Sequence, residues 1–349
     1  MAAVDSSSCN HLYIVTHTDL DGVGAAAVLL RIAGRRLGYD ATLVFAEPYD
    51  LHEALSSLAE HVERGDCVAI SDLGVNPESW RELLRAVSLI SSKGARVEWY
   101  DHHVWDSGEA EELRRRGVSI FIDKTTCATG VVARYAPILW GGEPDEYTAR
   151  LVDAVCSADL WRWDNPYSPK LFRAVGAREA SYKWKARVVE KLASGVLWDE
   201  ELASRVEEYV SMELENVSKA LSTVSVMEAR GVRIAVALKD EGPPANGILA
   251  AIMMARYSAD IACIARPNGG ISLRSRTVDV QELSRRLGGG GHPRAAGARI
   301  KIPLIVHIIS RLLPRILTMY IAWKLAREVS SKPPTRLARE AYAVEAMAY

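Results

Sequence analysis

Leu12-Tyr13-Ile14-Val15-Thr16-His17-Thr18-Asp19-Leu20-Asp21-Gly22 decides how the first half of the chain is read. Its first five residues are aliphatic, aromatic or β-branched, the make-up of a buried strand. The chain then turns polar at His17 and enters Gly22–Leu37, an Ala- and Leu-rich stretch of helical character. A strand that ends in His and Asp at the threshold of a helix delivers those side chains to the rim of a sheet.

The same unit recurs downstream. Leu43–Ala46 reads as a second strand, followed by a helix from about Asp50 to Glu63, and Cys67–Ile70 as a third, followed by a helix from Pro77 to about Ser91. Arg96–Tyr100 and Ser119–Ile122 are the fourth and fifth strands. Strands separated by helical crossovers specify an α/β fold with a parallel sheet and helices on both faces. Helical patterns near Thr129–Trp140 and Asp145–Ala158 follow, then Trp198–Leu221, whose alternating charges fit a solvated connecting helix. After Gly231 the alternation restarts with strands Val232–Leu238, Ile261–Ala265 and Ile271–Ser275 and helices Gly247–Tyr257 and Val280–Leu287. The expected organisation is a parallel-sheet domain over 1–195, a connector over 196–230 and a smaller C-terminal α/β domain over 231–349.

Composition narrows the function. Apolar residues make up 49% and charged residues 25%, the balance of a globular protein, and the net charge is −1. With no global basic field, an anionic partner has to be held by a local cluster or by metal ions. The five cysteines, Cys9, Cys67, Cys127, Cys156 and Cys263, are dispersed without a C-x-x-C pair. That pattern argues against a disulfide framework and for a reducing cytoplasm. Met1 to Asn10 is polar and lacks the apolar core of a signal peptide. Leu304–Leu325 is rich in Ile, Leu and Val, but His307, Arg311, Pro314, Arg315 and Lys324 interrupt it, and charges at that density are expensive in hydrocarbon. An amphipathic or packed helix, with no membrane partner, is the expectation there. Gln281 is the only glutamine and arginine is abundant, a composition that leans towards a thermophile.

Three strand ends carry the chemistry. The first runs into His17, Asp19 and Asp21, the third into Asp72, and the fourth into Asp101-His102-His103. Singly these have plain structural readings: Asp21 capping the helix at Gly22, Asp72 serving the turn into Asn76-Pro77, a histidine hydrogen-bonded in a core. Together they place several carboxylates and imidazoles on one rim, where they would repel or go unsatisfied without a cation. A mixed His/Asp set without cysteine suits Mn²⁺ or a similar divalent ion rather than structural zinc.

The series His17-x-Asp19-x-Asp21-Gly22, then Asp72, then Asp101-His102-His103 resembles the signature of the DHH phosphoesterases, a family of RecJ-type exonucleases, nanoRNases, dinucleotide phosphodiesterases and exopolyphosphatases. Its fourth motif is best matched by Asp159, with Asp153 and Asp164 as competitors. The later stretch Gly288-Gly289-Gly290-Gly291-His292-Pro293-Arg294-Ala295-Ala296-Gly297, preceded by Leu273-Arg274-Ser275-Arg276, resembles the DHHA1 domain that accompanies that family. A glycine run leaves backbone N–H groups open to an anion, and the neighbouring Arg274, Arg276, His292 and Arg294 make a phosphate cradle of Gly289, Gly290 and Gly291.

The resemblance implies two divalent metals, manganese with magnesium or cobalt as alternatives. His17 and Asp19 would hold one ion, Asp21, His102 and Asp159 the other, with Asp72 bridging. Asp101 would orient His102, His103 would serve the phosphate, and the cradle would grip the rest of the substrate. The implied activity is hydrolysis of short oligonucleotides or single-stranded nucleic acid to nucleoside monophosphates. Alternatives are a cyclic or linear dinucleotide or polyphosphate hydrolase and, from another class, a non-catalytic replication or repair scaffold. Trp161 and Trp163 stand beside the fourth motif as base-stacking or core residues. The helix after Pro303 is open to a homodimer or protein partner, or to ordinary packing.

Overall fold

The computed structural model describes residues 9–176 and 181–337, and the chain divides into two compact units between Val206 and Glu207. In the first unit the strands are β1 (Leu12–Thr16), β2 (Ala41–Phe45), β3 (Cys67–Ser71), β4 (Arg96–Asp101) and β5 (Val118–Ile122). They pair in parallel in the order β2-β1-β3-β4-β5. Helices α1 (Leu20–Ala33), α2 (Leu51–His61), α3 (Trp80–Ser92) and α4 (Ser107–Arg115) link successive strands, and α5 (Ala128–Trp140), α6 (Glu146–Asp159), α7 (Ser168–Val175) and α8 (Tyr182–Ala193) follow β5. One face of the sheet is covered by α1 and α5 to α8, the other by α2 to α4. This doubly wound order reverses at β1 and β3, so the crevice beyond their carboxyl ends is where such a sheet opens for a ligand.

Close helix packing explains two glycines of the opening motif. A Cβ on Gly22 would lie 2.3 Å from the His17 carbonyl oxygen, and one on Gly24 would meet Thr129 Oγ1 at 2.6 Å. Neither position accommodates a side chain while α1 starts where it does and packs on α5.

Helix α9 (Glu200–Ser222) contains the division between the units. The second unit adds β6 (Ser225–Ala229), β7 (Val232–Leu238), α10 (Asn246–Tyr257), β8 (Ile261–Ala265), β9 (Gly270–Ser275), α11 (Val280–Arg286), β10 (Gly290–Gly291), β11 (Ala295–Arg299), α12 (Leu304–Ser310) and α13 (Arg315–Ser331). Its sheet runs β10-β11-β9-β8-β7-β6, parallel only between β7 and β8. Helix α13 buries Leu317, Ile321, Leu325 and Val329 beneath one face.

The single helix expected over Leu304–Leu325 is two, broken at Pro314, which cannot continue a helix begun upstream. The cysteine expectation is also corrected. Cys9 is bonded to Cys67 and Cys127 to Cys156, with Cα separations of 5.8 and 5.2 Å, leaving Cys263 as a buried free thiol. Cys9 lies just before β1 and Cys67 begins β3, its immediate neighbour in the sheet, so residues distant in sequence meet.

Candidate metal centre

The residues leaving β1 do two jobs at once. Asp19 is the N-cap of α1, its Oδ1 accepting from the Gly22 N–H at 3.0 Å, while Oδ2 lies 3.1 Å from His17 Nδ1. The capping role open to Asp21 therefore falls to Asp19. Asp21 sits inside the first turn, buried, where the start of α5 holds it. Its Oδ2 accepts from Ala128 N–H at 2.6 Å, and its Oδ1 from Thr129 N–H at 2.8 Å and Thr129 Oγ1 at 2.6 Å.

Asp72 follows β3 with φ +57°, a left-handed conformation that is costly for a residue with a Cβ. A hydrogen bond from its N–H to the Tyr100 carbonyl, 3.0 Å, keeps it on the rim. Its two oxygens face different histidines, Oδ2 at 3.5 Å from His17 Nδ1 and Oδ1 at 3.5 Å from His102 Nε2. The same His102 nitrogen lies 3.7 Å from Asp21 Oδ2 and 3.8 Å from Asp159 Oδ2. The donor atoms thus gather as His17, Asp19 and Asp72 and as Asp21, His102 and Asp159, with Asp72 also grouped with His102 and His103. Asp153 and Asp164 stay outside, paired with Asn165 and Arg162 respectively.

Electrostatics test whether a cation fits. Asp72 Oδ2 and Asp159 Oδ2 are buried oxygens with no hydrogen-bond donor. Burial, and then the Asp72 carboxylate, push the Asp21 carboxyl up to about 7, and burial with Asp21 raises Asp159 well above the usual carboxylate range. Burial alone would lower His102, yet Asp72, Asp159 and Asp21 raise it to about 11, and His17 is raised likewise despite burial by Asp19, Asp72 and Glu47. Crowded carboxylates that retain protons, with oxygens lacking donors, are the condition a divalent ion relieves. His/Asp donors without cysteine suit a hard or borderline ion.

One assigned role is corrected. Asp101 does not orient His102. Its Oδ1 is 2.7 Å from His103 Nδ1, and its Oδ2 accepts from Trp105 Nε1 at 2.6 Å. Burial opposes ionisation of Asp101, yet His103 beside it holds the carboxyl below its ordinary value. On an extended chain, residues 101 and 103 share a side and residue 102 takes the other.

Two supports went unread in the sequence. Glu47, just past β2, sits 3.4 Å from His17 Nε2 and accepts from Thr18 Oγ1 at 2.8 Å, fixing which His17 nitrogen meets the cluster. It is a carboxylate at a fourth strand end, so the rule that found Asp72 could have found it. Buried Lys185 donates to the Thr18 carbonyl from α8, which no motif marks. Trp163 packs on Phe172 and meets Trp161 edge-on, ring centres 5.0 Å apart; both tryptophans have φ above +50°.

In the second unit the glycine loop is a strand edge. Gly290 and Gly291 pair with Gly297 and Ala296, and the N–H groups of Gly288, Gly289 and His292 are donated to Arg285, Ser284 and Ala295 carbonyls. Those three N–H groups are not open to an anion. A Cβ on Gly289 would lie 2.0 Å from the Gly297 carbonyl oxygen, so packing demands glycine there. Arg276 and His292 are exposed, and Arg294 is half-buried with Nη1 donating to the Arg276 carbonyl at 3.0 Å. Arg274 is buried, bonded to Ser272 Oγ and the Leu273 carbonyl, and burial lowers its pKa to about 10. Its Nε has no partner, and no carboxylate pairs with it among the described residues.

Comparison with known proteins finds a domain match in the second unit and likenesses over most of the chain. Residues 231–316 match the DHHA1 domain. Oligoribonuclease NrnB of Bacillus subtilis (strain 168) is 25% identical over 309 residues, which are 83% of this chain and 72% of that protein. Among solved structures, the pGpG-specific phosphodiesterase PggH from Vibrio cholerae superposes with a TM-score of 0.56 at 16% identity, covering 88% of this chain and 99% of that one. RecJ from Thermus thermophilus, in complex with Mn²⁺, superposes with a TM-score of 0.54 at 19% identity, over 91% of this chain and 52% of RecJ. At those identities the structures show a shared fold.

Proposed function

We propose that this chain is a phosphoesterase of the DHH type, a two-metal phosphodiesterase that hydrolyses short oligonucleotides to nucleoside monophosphates, a reading supported by its DHHA1 match and its likeness to oligoribonuclease NrnB. The observation that carries this reading is Asp72, whose two oxygens face the two donor sets. His17 and Asp19 would hold one ion, Asp21, His102 and Asp159 the other, and Asp72 both. Manganese fits the donor set, with magnesium or cobalt as alternatives. Two such ions, when bound, supply acidity to water and positive charge to the phosphoryl oxygens.

The rest falls to the protein. Glu47 holds His17 in one tautomer, and the first N–H groups of α5 hold Asp21, so each side chain would be oriented in advance for the ion it would hold. His103, fixed through Nδ1 by Asp101, would direct Nε2 at a phosphoryl oxygen and keep a proton there as charge develops. In the second unit, Arg276, His292 and Arg294 with the edge of Gly289, Gly290 and Gly291 would bind the remainder of the oligonucleotide. The buried, uncompensated Arg274 favours an anion nearby.

The test is product analysis on labelled oligomers of RNA and DNA, with and without Mn²⁺ and after chelation. Metal-dependent release of mononucleotides from oligomers of a few residues supports the proposal. Release of phosphate from polyphosphate instead, or no hydrolysis at all, overturns it in favour of the polyphosphate or scaffold readings.

A further inference from the structure

The segment after β11 carries an anomaly unrelated to the metal centre. Leu304, Ile305, Ile308, Ile309, Leu312 and Leu313 are between 40% and 86% exposed, although all are large aliphatics. Within α12 and the turn after it, these positions fall on one stripe, since residues four apart stack on a helix. Only Val306 turns inward to pack on the core beneath. The apolar face of α12 is thus directed at solvent, and a contiguous patch of this kind marks a contact surface.

Charge identifies the occupant. No Asp or Glu occurs between Glu282 and Glu328, while nine Lys or Arg do, in a chain whose net charge is −1. Arg299, Lys301, Arg311 and Arg315 are exposed around the stripe. A concavity of about 620 Å³ beside it is lined by Arg299, Lys301 and His307 together with Leu304 and Ile302. At its edge Tyr320 donates to the Lys301 carbonyl at 3.4 Å, and Trp323, 45% exposed, lies 6.0 Å from the Tyr320 ring.

A second copy in an isologous arrangement would set this cationic rim against itself. Protein hot spots draw on Trp, Tyr and Arg more than on bare Leu and Ile. An aliphatic stripe with a cationic collar and aromatic residues at its margin has the composition of a helix that lies in a lipid interface. We infer that α12 and the turn to Pro314 dock this protein onto an anionic membrane surface, with the aliphatic stripe in the headgroup–acyl boundary and Arg299, Lys301, Arg311 and Arg315 on lipid phosphates. No helix among the described residues is long and apolar enough to cross a membrane. The cost of burying charges excludes a span from Leu304 to Leu325 and leaves surface attachment open.

The test uses the full chain and vesicles of phosphatidylcholine with and without phosphatidylglycerol, read by co-sedimentation. Binding is expected to the anionic vesicles, at least tenfold weaker to neutral ones, and weakened by salt. Ile305→Ser/Ile308→Ser and, separately, Lys301→Gln/Arg311→Gln should each reduce it at least tenfold while leaving oligonucleotide hydrolysis in solution and the thermal midpoint unchanged. Absence of binding to anionic vesicles, or binding that survives both double variants, overturns the inference. A concentration-dependent dimer dissolved by Ile305→Ser/Ile308→Ser, without vesicle binding, overturns it in favour of a second copy.

Discussion

In the first unit the candidate donors are buried or half-buried and several are pinned from behind; in the second they stand largely on the surface, and it is the backbone beneath them that is pinned. Asp21 takes three hydrogen bonds from the start of α5, and His17 and His103 each have a carboxylate on their outer nitrogen. Arg276 and His292 are exposed, over a glycine edge whose N–H groups are largely spent within the chain. Preorganised side chains suit a site that stabilises developing charge. Adaptable cations on a rigid edge suit a site that holds the unreacting part of a ligand. Substitutions should therefore cost turnover in the first unit and affinity in the second.

The sharpest break of that contrast is Asp72→Asn. Losing the anion common to both donor sets should lower turnover at least about a thousandfold, equivalent to ~4 kcal/mol of transition-state stabilisation. The fold should persist, because the change relieves repulsion among Asp21, Asp72 and Asp159. Turnover of a short oligomer with Mn²⁺, alongside a thermal melt, checks both. Near-normal activity would remove Asp72 from the centre of the mechanism.

Both disulfides lie in the first unit, whereas the second has only Cys263. Cys127 is the residue before α5, whose first N–H groups hold Asp21, and Cys156 is in α6 three residues before Asp159. Cys127→Ser/Cys156→Ser frees a loop of sequence separation 29 and should cost about 3–4 kcal/mol in urea unfolding. It should also weaken Mn²⁺ binding, through Asp21 and Asp159. Unchanged stability and metal affinity would make the bond incidental to the rigidity of the rim.

Much of that rim was legible because strands betray themselves twice, by apolar runs and by where those runs end. All five parallel strands and their order of polar ends follow from β1 to β5, whereas Asp159 is set apart from its competitors Asp153 and Asp164 only by the folded geometry, which gathers it with Asp21 and His102. The partner of Asp101 was misread because adjacency in sequence outweighed the two-residue period of an extended chain, which sets Asp101 beside His103. Helices α7 and α8 carry charged residues among their apolar ones, and their burial against α1 is a tertiary fact. The disulfides join separations of 58 and 29, which spacing alone does not reveal. The glycine run read as an open cradle because sequence cannot show that β11 takes its edge.

Within the rim, the paired histidines should separate. His102→Ala removes a donor facing three carboxylates and should weaken Mn²⁺ binding by about ten- to a hundredfold. His103→Ala should bind metal near-normally and lose turnover by about a hundredfold. Calorimetric titration beside single-turnover kinetics distinguishes them, and equal loss of metal by both would make His103 a ligand.

Protonation gives a smaller, graded effect. Without metal, His17 and His102 are raised above neutrality and Asp21 to about 7, so at pH 7 the rim holds protons that an incoming ion must displace. Binding should therefore release at least two protons per chain and tighten as pH rises from about 6 to 8, because the metal takes the deprotonated donors. Titrations in buffers of different ionisation enthalpy count the protons. Release of none would mean that the donors are already deprotonated.

The smallest effect belongs to the second unit and tests the other half of the contrast. Arg276 is exposed and bears no ion pair among the described residues, while its carbonyl anchors Arg294. Truncating the side chain keeps that backbone contact, so Arg276→Ala should leave the fold and the glycine edge intact. On the proposed reading it would remove one charge-assisted contact remote from the reacting phosphate. The Michaelis constant should rise about tenfold, ~1.4 kcal/mol, with turnover nearly unchanged. A cradle of three or four cations also limits reach: oligomers of about two to five nucleotides should be preferred, since longer strands need a continuous basic groove. Specificity constants across a ladder of oligomers at two salt concentrations measure both expectations. The salt slope should be shallow, because few counterions leave, and should flatten by about one phosphate in Arg276→Ala. A steep slope with strong preference for long single strands would instead describe an enzyme that tracks its substrate. Lost turnover at unchanged Michaelis constant would move Arg276 from grip to chemistry, and the two units would no longer divide the work.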